Sequence, residues 1–233
     1  MTSPVTTSWI PIAPGFDAYL ALPPAGSGPG LVLFQEIFGV NEHIRAVAEQ
    51  YALDGFVVLA PDVFWCAEPR VDIGYSADDM QRGVALAGTL KPAEVLADLQ
   101  AAVATLRARP EVGGRKVGAF GFCMGGRLAY SAAALAGVDA AVAYYGGGIH
   151  GQLDLAPRIT CPTMFHFAGI DTYIPPEAVQ SVRSAMAGKP AEIFDYPGAH
   201  HGFNCWARAA YDAPSAALAH GRTLEFFARH LFV

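Results

Sequence analysis

Charge is scarce in this sequence, and cysteine is scarcer. Asp, Glu, Lys and Arg make up 15% of the 233 residues, and the 15 Lys and Arg are scattered rather than gathered into runs. With a formal net charge of −6, the chain has no basic stripe for holding nucleic acid or an anionic membrane surface. No run of about eighteen apolar residues occurs, so no membrane span is expected. The opening "MTSPVTTSWIPIAP" lacks the basic start and long apolar segment of a signal peptide, and a cytoplasmic protein is expected. The four cysteines, Cys66, Cys123, Cys161 and Cys205, lie far apart with no CxxC pair. That argues against a disulfide framework and against a cysteine-rich zinc site.

Apolar residues are plentiful at 53%, enough for a large core and too many for a disordered chain. There is no internal repeat, low-complexity tract or dividing linker, and "LPPAGSGPG" at 22–30 reads as a strand connection. One domain over residues 1–233, acting as a monomer, is the expectation.

Short apolar runs bounded by Gly, Pro and Asp alternate with longer Ala-rich stretches, the pattern of parallel strands and their covering helices. Strands are expected at 18–22, 31–35, 56–60, 117–121, 140–145, 163–167 and 191–196. Helices are expected at 42–53, 92–108, 124–136, 176–186 and 214–229. This βα alternation implies an α/β fold with an open, mostly parallel sheet and helices on both faces. The stretch from Asp62 to Leu90 mixes aromatics with charge and reads as a loop over a site.

At the end of the fourth expected strand stands "GAFGFCMGG", residues 118–126. Cys123 falls at a strand-to-helix corner between Gly121 and Gly125, where larger side chains would collide with a closely approaching backbone. This is a nucleophile elbow with sulfur in place of oxygen; the competing reading is a small residue packed in a tight turn. A helix N-terminus favours the thiolate and points the Met124 amide at the reaction centre as an oxyanion donor. A nucleophile needs a base and a group to orient it, and in such folds the acid and then the histidine follow, each after a later strand. Asp171 in "AGIDTYIP" and one of the adjacent His200 and His201 in "DYPGAHHGF" meet that order.

Glu36 sits in the apolar segment "LVLFQEIFGV", where an unpaired charge is costly. Either it caps the helix that begins near Asn41, or it faces the nucleophile with the Ile37 amide as second oxyanion donor.

Taken together, "QEIFGVN" at 35–41, "GFCMGG" at 121–126, "AGIDTYIP" at 168–175 and "GAHHGF" at 198–203 resemble the dienelactone hydrolase (carboxymethylenebutenolidase) family. So do "LAPD" at 59–62, "YYGGGI" at 144–149 and "ALAHGRTLEFF" at 218–227, so that the resemblance covers nearly the whole chain. It implies an α/β-hydrolase fold, lactone ester hydrolysis by Cys123, His201 and Asp171, a glutamate at Glu36 that engages the resting thiol, and neither metal nor organic cofactor. It also implies a substrate carboxylate held by two arginines, a tyrosine and a serine. Arg82 takes the first arginine position, with pairing to Asp78 or Asp79 on a solvated helix as its competing role. Leu86, Cys205 and Gly202 replace the tyrosine, the second arginine and the serine, while Arg208 stands three residues beyond Cys205. Trp206 and Trp65 are candidates for pocket wall. A small-molecule lactone or ester is the expected partner; a different ester or thioester on the same triad, or a binding scaffold with an inert Cys123, are the alternatives.

Overall fold

Continuous apolar runs dictate the centre of the structure, a computed structural model that describes residues 4–233. Gly30–Phe34 (β3), Val57–Pro61 (β4), Val117–Phe122 (β5) and Ala140–Tyr144 (β6) are buried at every position, as strands covered on both faces must be. Around them lie Thr6–Ala13 (β1), Phe16–Leu22 (β2), Thr163–Ile170 (β7) and Ala191–His200 (β8). One eight-stranded sheet results, in the order β1-β2-β4-β3-β5-β6-β7-β8. The β1–β2 and β2–β4 pairs are antiparallel and every other pair is parallel, so the carboxyl ends of β3 through β8 share one edge.

The helices are Glu42–Leu53 (α1), Ala77–Ala87 (α2), Pro92–Arg107 (α3), Met124–Leu135 (α4), Pro176–Ala185 (α5) and Ala213–Leu231 (α6). Asn41 caps α1 by accepting a hydrogen bond from the Ile44 amide, which removes helix capping as a role for Glu36. Side chains alternate across β5. Phe120 meets Tyr51 of α1 and Phe227 of α6 on one face, while Gly121 meets the start of α4 on the other. Helices thus cover both faces.

One strand and one α-helix escaped the sequence reading. β1 is an exposed edge strand whose burial barely alternates. α2 lies inside the expected 62–90 loop, held by a capping box in which Ser76 and Asp79 satisfy each other's backbone amides. Among the described residues no helix is long and apolar enough to cross a membrane.

Candidate active site

Cys123 follows β5 directly and starts α4 with φ 55° and ψ −115°, a left-handed backbone that a residue with a Cβ adopts only where surrounding contacts enforce it. The contacts here are close. A Cβ on Gly125 would stand 2.1 Å from the Phe34 carbonyl oxygen, and one on Gly121 would stand 2.4 Å from that of Gly125. The two glycines therefore let the first turn of α4 press against the end of β3. The Cys123 amide donates to the Tyr144 carbonyl at 3.1 Å, which ties the corner to β6 and leaves the half-buried thiol at the sheet edge.

Asp171 and His201 each sit one residue past a strand, β7 and β8 respectively. His201 Nδ1 and Asp171 Oδ2 are 2.8 Å apart, and Asp171 Oδ1 accepts from the Tyr173 and Ile174 amides at 2.8 and 3.1 Å. That fixes the carboxylate and, through it, the ring. Tyr145 and Tyr173 pack on the imidazole with centroids 5.0 and 4.9 Å away. Burial disfavours the imidazolium, but hydrogen bonds with Asp171 and Cys123 outweigh it and push the His201 pKa up to about 10. His200 is exposed and pairs with Ile170 as the last residue of β8, so the ring beside Cys123 belongs to His201.

Glu36, just past β3, is 1% exposed. The sequence reading has its carboxylate engage the Cys123 thiol, whereas here Oε1 accepts from Arg208 Nη1 at 3.1 Å. Burial raises the Glu36 pKa, and the nearby Arg208 and His201 pull against it without cancelling it. Gly202, where the family pattern has serine, has φ 86°, and a Cβ there would stand 2.6 Å from Arg208 Nη1. The loss of a side chain at 202 thus makes the room that Arg208 occupies. Tyr145, with φ 34°, buries a hydroxyl that has no hydrogen-bond partner. Close to Glu36 lie the His43 ring and the Cys205 sulfur; one ligand atom from each of the three falls within 4.8 Å of the others.

A cleft of about 350 Å³ opens above Cys123 and His201. Arg208 brings a guanidinium to its lining, and Ile37, Phe38, Met80, Val84 and Tyr173 form its apolar wall. Met80 and Val84 come from α2, which the sequence reading missed; the Ser76-to-Asp79 capping signature was the available signal. A larger cleft of 460 Å³ lies between α3 and α4 and has neither histidine nor cysteine in its lining.

Three expected pocket residues lie elsewhere. The Arg82 guanidinium, half exposed, pairs with Glu68 rather than with Asp78 or Asp79, and it is absent from the cleft lining. Trp206 covers the His43 ring edge-on at 4.2 Å. Trp65 stacks on Phe16 and donates its indole N–H to Asp98 at 3.0 Å. Each finds a local partner that spacing along the chain does not reveal. The Met124 amide, at the first position of α4, is one that the helix itself leaves without a partner, and Ile37 lines the cleft.

The family model of the dienelactone hydrolase family matches residues 16–231. A carboxymethylenebutenolidase of Pseudomonas sp. (strain P51) is 35% identical over 216 residues, covering 92% of this chain and 90% of that protein. A crystal structure from Klebsiella pneumoniae subsp. pneumoniae MGH 78578, named a "Putative Dienelactone Hydrolase", superposes with a TM-score of 0.85 at 30% identity, over 97% of this chain and 99% of that one. A dienelactone hydrolase-like promiscuous phosphotriesterase from metagenomic libraries superposes with a TM-score of 0.82 at 25% identity, over 97% and 99%. The chain belongs to the dienelactone hydrolase family, has the α/β-hydrolase fold, and is a carboxylic ester hydrolase.

Proposed function

We propose that this hydrolase opens an enol lactone, or a similarly activated ester carrying one carboxylate, through a thioester on Cys123. His201 Nε2 carries the proton that came from the Cys123 thiol while Asp171 holds Nδ1, and the thiolate attacks the carbonyl carbon. The Ile37 and Met124 amides stabilise the oxyanion. Collapse breaks the carbon–oxygen bond and expels an enolate, which is a stabilised leaving group and takes up the proton. Water deprotonated by His201 then attacks the thioester, the carbon–sulfur bond breaks, and the thiol is restored. Residues 1–233 act in this reading as one catalytic domain, and no step calls on a metal or organic cofactor.

The observation that carries the reading is the imidazole itself. Its Nδ1 is committed to Asp171, its other side meets the sulfur of a left-handed corner residue, and the cleft opens above both. Arg208 is the cation available to a substrate carboxylate, and taking that carboxylate would loosen its hold on Glu36. The apolar wall suits the ring of a lactone and also admits neutral aryl esters, the second reading.

Steady-state rates on enol lactones with a free carboxylate, on their methyl esters and on neutral aryl esters separate the two. The proposal expects the carboxylated lactones to lead in kcat/KM and Arg208→Gln to remove that lead through KM. Equal kcat/KM across the panel would assign the chain to general esters.

A further inference from the structure

Three chemically different side chains converge behind the catalytic corner and have no part in the scheme above beyond Glu36. His43 sits in the first turn of α1, Cys205 in the loop after β8, and Glu36 just past β3. All three are buried, at 4%, 0% and 1% exposure. One carboxylate oxygen, one ring nitrogen and the sulfur lie within 4.8 Å of one another.

His43 is the anomaly. Both of its ring nitrogens are buried without a hydrogen-bond partner, although a buried polar group normally finds one. An imidazole in that state offers an unused lone pair toward the Glu36 carboxylate and the Cys205 thiol. The Cys205 sulfur meets the Tyr75 hydroxyl at 3.3 Å and the Ala207 backbone, contacts that a metal would displace.

We infer that Glu36, His43 and Cys205 form a binding site for a thiophilic divalent cation, zinc being the best match, with water as fourth ligand. The donor set decides the ion. Calcium and magnesium take oxygen ligands, whereas one sulfur, one imidazole nitrogen and one carboxylate oxygen is a combination that zinc binds in tetrahedral geometry. Zinc–ligand bonds of about 2.0–2.3 Å require the three ligand atoms to draw in from separations of up to 4.8 Å. The Cys205 sulfur–hydrogen bond gives way to a sulfur–zinc bond and its proton goes to the solvent, so two negative ligands offset the two charges of the ion. Trp206 covers His43 and is 45% exposed, so its swing gives the ion an entry path.

Such a site reaches the cleft through one contact. Zinc on Glu36 competes with the Arg208 hydrogen bond at Oε1, and Arg208 lines the cleft beside Cys123. Zinc is thus an inhibitor that acts from behind the nucleophile. This consequence rests on the hydrolase reading; the binding site itself does not.

The test is calorimetric titration of zinc into full-length Cys123→Ala protein, which lacks the competing catalytic thiol. The expected result is one equivalent bound, with a heat that scales with buffer ionisation as one proton is released. Adding His43→Phe, which keeps an aromatic ring against Trp206, or Cys205→Ala weakens binding by about 100-fold or more, since even outer-shell partners are worth about 10- to 100-fold. Cobalt in the Cys123→Ala protein shows thiolate-to-metal charge-transfer absorption that disappears with Cys205→Ala. If the cysteine variant fails to fold, the His43→Phe titration decides alone. No stoichiometric binding, or binding that His43→Phe leaves unchanged, overturns the site. In the activity assay, micromolar zinc inhibits the unmodified enzyme reversibly by chelator and spares His43→Phe; equal inhibition of both places zinc on Cys123 and His201 and overturns the inhibitory linkage.

Discussion

Arg208 Nη1 donates to Glu36 Oε1 at 3.1 Å, joining two residues 172 positions apart. The pair is nearly sealed, with side-chain exposures of 14% and 1%. Desolvation is what makes it consequential. A buried pair contributes little net stability, but removing one partner strands the other charge. Arg208→Met should therefore destabilise the fold by about 3 kcal/mol at neutral pH, and Glu36→Gln in the same chain should restore part of the loss. Chemical denaturation of the three proteins measures both. With Arg208 gone, the folded-state pKa of Glu36 rises further above its unfolded value. The deficit is then largest above the folded-state pKa, shrinks as the pH falls through it, and is gone below the unfolded value.

Gly202→Ser tests how Arg208 is seated. The new Cβ must share space with Nη1, which stands 2.6 Å from its position, on a backbone at φ 86°. The expected outcome is a loss of about 1–2 kcal/mol from left-handed strain, together with a guanidinium turned away from Glu36. A structure of the variant with the ion pair intact would contradict the steric argument.

The imidazole predicts a pH profile. With its pKa raised to about 10 by Asp171 and Cys123 against the cost of burial, the His201 cation persists well above neutrality. The alkaline limb of kcat/KM should then lie near pH 10. Asp171→Asn should lower kcat by about 10²–10⁴-fold and move that limb toward neutral pH. The same shift governs stability: a raised folded-state pKa contributes fully below about 6.5 and is lost as the pH climbs through about 10. Asp171→Asn should flatten that alkaline decline in thermal melts.

His166 works with the opposite sign. Fully buried, its Nδ1 lies 2.8 Å from the Tyr196 hydroxyl and its Nε2 3.0 Å from the Thr223 hydroxyl. Burial first, and Arg222 second, lower its pKa to about 3. A depressed folded-state pKa means stability is present above about 6.5 and is lost as the pH falls through about 3. His166→Gln keeps hydrogen-bonding groups without the titration, so its stability should fall less steeply over that range in urea melts.

The parallel strands were legible in the sequence because a strand buried on both faces is an unbroken apolar run, as in Leu31–Phe34 and Val57–Ala60. The order of Cys123, Asp171 and His201 was equally plain, since each follows an expected strand. β1 escaped because an exposed edge carrying Pro11 has no periodicity to find, and α2 because its wall residues Met80 and Val84 are set among charges. Ion pairs were the least legible features. Arg82 has Asp78 and Asp79 close by in sequence, yet it pairs with Glu68, across a turn of chain that only the folded 62–90 segment creates. Arg208 reaches Glu36 because β8 and β3 both end at the same sheet edge, a fact of topology and not of spacing.

The central claim is that the Cys123 sulfur carries the acyl group. Rapid-quench mass spectrometry during turnover of an aryl ester reads this directly, followed by peptide mapping and paired with the hydrolysis rate of Cys123→Ala. The account predicts a transient acyl mass on the peptide containing Cys123, and a variant that forms no adduct and has lost nearly all activity. An acyl group mapped to any other residue, or a Cys123→Ala protein that turns over at the unmodified rate, would contradict it.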